Sequence, residues 1–226
     1  MTVLQHAELP LSRSTYDPLL DALLSFVARY DDPAIAPFRD DVANWDDGAG
    51  REARWNGGAL GVSVLQARRF VPDALNSATD VTRSLLSLLD NLGDALFWEQ
   101  SYTAGQALVG DDMLTGYGFV EVIGKRGPFV SHRVRVGIGV WGPEIVYPEH
   151  HHAAAEIYVP LGGEAVFSLE GDEPRVATAG ESVVVRPHRR HGFTTRARPL
   201  AVFYIWRAGD LRETSTFTAD QAGAQH

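Results

Sequence analysis

Apolar residues recur at two different periods along this chain, and the change from one to the other divides it. In the first half the spacing is helical. Leu20, Leu23, Leu24 and Val27 follow Asp17-Pro18, read as an N-cap with proline at the first helical position, and Asp31-Asp32-Pro33 stops the run. A second helix is predicted to start near Pro72-Asp73, with Val81, Leu85, Leu88, Leu89 and Leu92 on one face and Gly93 at its end. A third segment, Asp94 to roughly Ala107, turns Leu96, Phe97 and Trp98 inward. These stripes read as core packing.

Near Gly116 the texture changes. Short alternating or wholly apolar runs, broken by Gly and Pro, cover Tyr117–Ile123, His132–Val140, Glu156–Leu161, Glu164–Leu169, Glu181–Val185 and Leu200–Trp206. Such a series predicts a β-sandwich or barrel. Leu161-Gly162-Gly163-Glu164 and Glu170-Gly171-Asp172 read as hairpin turns. No internal repeat or low-complexity linker is visible. The expected fold is therefore mainly β with an α-helical N-terminal part: residues 1–115 helical and packed on the outside of the barrel, 116–212 the barrel, 213–226 a tail.

Composition narrows the function. Of 226 residues 45% are hydrophobic and 22% charged, enough for a full core and an argument against disorder. The net charge of −9 is spread along the chain. Nucleic acid is thus excluded as a partner, since phosphate binding needs clustered Lys and Arg; the densest basic patch, Arg186 to Arg190 with Arg196 and Arg198, reads as solvated strand ends or attraction for an anionic substrate. There is no cysteine, so any metal must rest on nitrogen and oxygen donors. Met1 to Glu8 lacks the basic and apolar regions of a signal peptide, and no apolar run approaches the ~20 residues that span a bilayer. A cytoplasmic protein without a membrane partner is expected, and a homodimer is the default assembly.

The chemistry is concentrated in Tyr147-Pro148-Glu149-His150-His151-His152-Ala153-Ala154-Ala155-Glu156-Ile157-Tyr158, answered by Pro187-His188-Arg189-Arg190-His191. Imidazoles with an anionic oxygen are the usual holders of divalent transition metals. Along an extended chain His150, His152, Glu156 and Tyr158 share one face, and His151 falls on the other. A bend at Ala153 to Ala155 can break that parity. His191 is placed at the start of a strand returning to the barrel mouth, and Glu156 sits among apolar neighbours.

These residues are similar to the two signature motifs of the cupin superfamily, a jelly-roll β-barrel fold. His150-x-His152-x3-Glu156-x6-Gly163 fits the first, and Gly180…Pro187…His191 is a looser match to the second. The second lacks a glycine two residues after Pro187 and is one residue shorter, which leaves the last ligand between His191 and His188; His191 is preferred because the strand resumes after it. The longer string Tyr147-Pro148-x-His150-x-His152-x3-Glu156-x-Tyr158 resembles the bacterial dimethylsulfoniopropionate lyases of the cupin type, as do the helical first half and the chain length. That resemblance implies one divalent transition metal ion (Zn, Fe, Mn, Co or Ni) on His152, Glu156, Tyr158 and His191. It places Tyr147 and His150 in the substrate pocket and Trp206 as an aromatic wall, with Trp141 or Tyr204 as further candidates.

The implied substrate is a small zwitterion, a carboxylate with a dimethylsulfonium, and the implied reaction a β-elimination to dimethyl sulfide and acrylate. A metal on the carboxylate spreads the charge of α-deprotonation. Tyr147 is the preferred base with His150 tuning it, and Tyr158 is the rival. Aromatic faces suit the sulfonium. Two other readings share the ligand pattern: a dioxygenase using Fe(II), and a regulatory cupin that senses a metal or ligand.

Overall fold

The computed structural model describes residues 9–104, 109–212 and 215–217. Its β portion comprises β1 (Tyr117–Ile123), β2 (Val134–Trp141), β3 (Val146–His151), β4 (Ala155–Gly162), β5 (Glu164–Leu169), β6 (Arg175–Thr178), β7 (Val183–Val185), β8 (His191–Thr195), β9 (Leu200–Arg207) and β10 (Thr216–Phe217). They form two five-stranded sheets, β1-β2-β9-β4-β7 and β10-β3-β8-β5-β6, with every paired strand antiparallel. The first sheet is covered on both faces. Val136, Ile138, Val159, Phe203 and Ile205 pack outward against the helices, while Tyr117, Phe119, Trp141, Tyr158 and Tyr204 face the second sheet. That is why β1, β2 and β9 read as nearly continuous apolar runs, whereas β5 alternates buried and half-buried positions. This is a cupin-like jelly roll with N-terminal helices, as the strand pattern predicts.

The helices are α1 (Arg13–Arg29), α2 (Ala36–Ala43), α3 (Arg51–Arg54), α4 (Val71–Leu75), α5 (Asp80–Leu92) and α6 (Asp111–Gly116). Three expectations are corrected here. α1 begins at Arg13, with Ser12 at the N-cap position and Pro18 inside the helix; the buried stripe Tyr16, Leu19, Leu20, Leu23, Phe26 and Val27 runs through the proline. Packing of that stripe offsets the lost hydrogen bond, and Asp17 instead pairs with Arg13 at 3.1 Å. The helix predicted from Pro72 is two helices, because Thr79 and Thr82 form a capping box that restarts the chain at α5. Val81 then faces solvent and Leu86 joins Leu85 and Leu89 in the core.

The third predicted segment is not a helix. After one 3-10 turn, Gly93–Ala95, the chain runs extended, with Phe97 bridging Ser63 and Glu99 bridging Phe119. Leu96 and Trp98 are buried and Phe97 only partly, a two-residue alternation. The far end of that segment, at Ala107, lies outside the described residues, as do Met1 to Glu8 and most of 213–226. Of the expected tail, Thr216 and Phe217 are a strand, paired with His151 and His150.

The Gly162-Gly163 turn is also corrected. It joins strands of opposite sheets and so is a corner, whereas Glu170-Gly171-Asp172 does close the β5–β6 hairpin. Gly163 has φ +82°, and a Cβ there would meet Pro199 O at 2.0 Å.

Candidate metal centre

The histidine-rich run is not one strand. It leaves β3 at His151, bends through Ala153 and Ala154, and enters β4 in the opposite sheet. The bend brings side chains from both sheets to one end of the barrel. His150 on β3 pairs directly with His191 on β8, and a bulge across Pro148 and Glu149 turns Tyr147 to the same interior as His150 despite their odd spacing. Glu156 and Tyr158 follow on β4, and Trp206 on β9 lies opposite Glu156. These six and His152 are all buried. His188 is exposed, with left-handed backbone at φ +61°, and His151 is half-buried outside the cluster.

Each clustered imidazole has its Nδ1 on a backbone carbonyl: His150 on Pro148 at 2.9 Å, His152 on Ala154 at 3.0 Å and His191 on Arg189 at 2.9 Å. A carbonyl only accepts, so Nδ1 donates and the neutral ring keeps its lone pair on Nε2. Two of those Nε2 atoms meet one carboxylate oxygen: Glu156 Oε2 is 2.9 Å from His152 Nε2 and 3.3 Å from His191 Nε2. Such a contact needs positive charge, either a second proton on the rings or a cation held between the three groups. His150, His152 and His191 offer ligand atoms within 4.8 Å of one another, and their carbonyl partners are the orienting contacts that metal-bound histidines use. This donor set fits a divalent transition metal.

Burial works against the Glu156 carboxylate, yet positive charge on the His152 and His191 side holds it well below the usual carboxylate range. Burial, then the neighbouring His191, push His150 down to about 3, so it stays neutral with its Nε2 lone pair in place. The phenols shift the other way. Burial, then Tyr102 and Tyr117, raise Tyr147, while burial and Glu156 raise Tyr158, whose hydroxyl is 3.5 Å from His191 Nε2. Both phenols hold their protons until positive charge enters the site.

A small cavity of about 50 Å³ opens beside the cluster, lined by Tyr147, Glu156, Tyr158, Tyr204, Trp206 and Arg135 among others. Trp206 stacks on His152 with centroids 3.9 Å apart, and Trp141 stands 5.2 Å from Tyr147. Sequence reasoning missed two groups here. Tyr102, from the segment before the barrel, shares a hydroxyl hydrogen bond of 2.7 Å with Tyr147, and no local pattern marks it. Arg135 and Glu121 pair at 2.9 Å on inner faces of β2 and β1; single charges inside apolar strands were the readable sign.

A jelly roll whose two sheets converge on a buried imidazole and carboxylate cluster defines a cupin-type protein with a candidate metal site. Comparison with known proteins carries this further. The family model for dimethylsulfoniopropionate (DMSP) lyase matches residues 65–202. The chain is 32% identical over 155 residues to dimethylsulfoniopropionate lyase DddQ of Ruegeria pomeroyi, an alignment covering 66% of this chain and 76% of that protein. The chain belongs to the DMSP lyase family, whose members are carbon–sulfur lyases. It is also 26% identical over 126 residues to a putative dimethylsulfoniopropionate lyase DddL of Cereibacter sphaeroides, spanning 55% of this chain and about half, 51%, of that protein. In fold it matches the crystal structure of DddQ from Ruegeria pomeroyi with a TM-score of 0.77 at 24% identity, over 93% of this chain and 100% of that one. A chain from the crystal structures of the DMSP lyases RdDddP and RnDddQII gives 0.74 at 24%, over 92% and 99%.

Proposed function

We propose that this chain cleaves dimethylsulfoniopropionate to dimethyl sulfide and acrylate by a metal-dependent β-elimination. The observation that carries this reading is Glu156 Oε2 facing two imidazole Nε2 atoms at 2.9 and 3.3 Å, beside a cavity with a buried phenol. His152 and His191 both face Glu156, so these three with Tyr158 are assigned as ligands. His150 also offers its Nε2 within 4.8 Å of the ligand atoms of His152 and His191 and joins them toward the ion, while its ring packs edge-on against Tyr147 with centroids 4.7 Å apart. A divalent ion on this set supplies Lewis acidity to the substrate carboxylate.

Tyr147 then acts as the base. Its phenolate oxygen takes the proton from the α-carbon, the C–H electron pair becomes the Cα–Cβ double bond, and the Cβ–S bond breaks with its pair leaving on dimethyl sulfide. Tyr102, whose hydroxyl meets that of Tyr147, steadies the phenolate by donating to it. Tyr158, which packs at 5.8 Å from Phe167 and beside His191, is left to the ion. Trp206, Trp141 and Tyr204 wall the substrate; of these, the Trp141 ring suits a sulfonium, which has charge but no hydrogen-bond donor.

The test is headspace detection of dimethyl sulfide after adding dimethylsulfoniopropionate to metal-loaded protein without oxygen. Stoichiometric dimethyl sulfide and acrylate are expected. Turnover that requires and consumes oxygen would overturn the reading in favour of a dioxygenase.

A further inference from the structure

The cavity wall carries a cation that the reading above does not use. Arg135 interrupts the apolar strand β2 and lies in register with Trp206 on β9, which lies in register with Glu156 on β4. The three form one row across the sheet, and all three line the cavity. The Nε of Arg135 donates to Glu121 Oε2 at 2.9 Å, and Glu121 Oε1 accepts from the backbone N–H groups of Arg126 and Gly127 at 2.7 and 3.1 Å. On its other side the guanidinium carbon stands 4.6 Å from the Trp206 ring centroid. A long, adaptable side chain is thereby held in one place. Buried ion pairs add little net stability, because desolvating both charges offsets their attraction. Keeping one on the inner face of the cavity beside the imidazole cluster suits recognition better than folding.

We propose that Arg135 binds the carboxylate of the substrate as a second positive group beside the metal ion, and that Glu121 and Trp206 aim it. The proposal rests on the elimination described above. Removing the α-proton adds charge to a group that is already an anion, and one cation leaves part of that charge unmatched. A guanidinium is planar, always charged and shaped to pair with carboxylate oxygens, which an ammonium is not. Positive groups fixed where charge develops favour the transition state over the bound substrate. Arg135 also gives the cavity polarity. Its charge repels a sulfonium, so the substrate enters with its carboxylate toward the row and its sulfur toward the aromatic rings of Tyr117, Phe119 and Trp141.

The competing role is structural: Arg135 does no more than neutralise Glu121. Propionate, a carboxylate without a sulfonium, separates the two. Its binding to the metal-loaded protein is measured by calorimetry for wild type, Arg135→Lys and the double variant Glu121→Gln/Arg135→Gln, with melting curves on each. The double variant removes both partners of the Glu121–Arg135 pair, so it keeps the test valid where a single loss of Arg135 disturbs folding. Propionate affinity is expected to fall at least tenfold in the double variant and less in Arg135→Lys, with KM for dimethylsulfoniopropionate rising and kcat falling together. A folded double variant whose propionate affinity falls by less than tenfold overturns the proposal. Failure of the metal reading shows separately, as undiminished metal content in Glu156→Ala.

Discussion

Tyr147 touches more of the site's chemistry than any other side chain: Tyr102 through its hydroxyl, and His150, Trp141 and Phe193 through its ring. None of these contacts needs the hydroxyl to hold the ring in place except that with Tyr102. Tyr147→Phe is therefore expected to fold and keep its metal while turnover falls about 10²–10⁴-fold, the usual share of a general base. Kinetics with elemental analysis check both halves, and activity within a few-fold of wild type removes Tyr147 from the mechanism. The histidines and carboxylates were legible in the sequence because two short runs crowd them together. Tyr102 was not, since its contact with Tyr147 closes over 45 residues and is made by tertiary packing alone. The inward turn of Tyr147 was hidden as well: strict alternation opposes it to His150, and only the bulge between them reverses that.

Among the elements, the decisive features are the places where the chain changes sheet. The bend after His152 lets one motif supply both walls of the site, and Gly163 does the same at the far end of β4. Gly163→Ala must hold φ near +82° and displace Pro199 O, which a Cβ would approach to 2.0 Å. A loss of about 1–3 kcal/mol or more is expected for a strained left-handed residue, seen as a lower melting temperature with metal content kept. An unchanged melting temperature contradicts this. The strands of the first sheet were legible because it is buried on both faces; in the second, β5 was legible through its alternation, whereas β6 and β10 were not read as strands. The helix boundaries were less so. Asp17-Pro18 has the chemistry of a helix start, yet the buried faces of Tyr16 and Leu19 extend the helix past it. Thr79 and Thr82 divide a leucine stripe that looks continuous in the sequence. Leu96 and Trp98 follow a helix closely enough that their strand-like alternation reads as its continuation.

At the scale of the whole molecule, the helical layer covers one sheet and leaves the other to enclose the site; no helix among the described residues is long and apolar enough to cross a membrane. The same packing buries Glu99 beside β1. Burial, then the charge of Glu121, push its carboxyl from 4.5 up to about 7. A folded pKa above the unfolded one means stability present below about 4.5 and lost as the pH rises through 7. Glu99→Gln removes that loss. It is expected to gain about 1–3 kcal/mol over wild type at pH 8, at about 1.4 kcal/mol per pKa unit with a discount for partial exposure, and much less at pH 4. Melting curves at the two pH values check it, and an equal gain at both contradicts it. The central claim is that Glu156, His152 and His191 share one cation across the gap between the sheets. Its most direct test is elemental analysis of purified wild type and Glu156→Ala, each confirmed folded. About one divalent transition metal ion per chain in wild type and a near-empty variant is the predicted result; equal metal in both would contradict it.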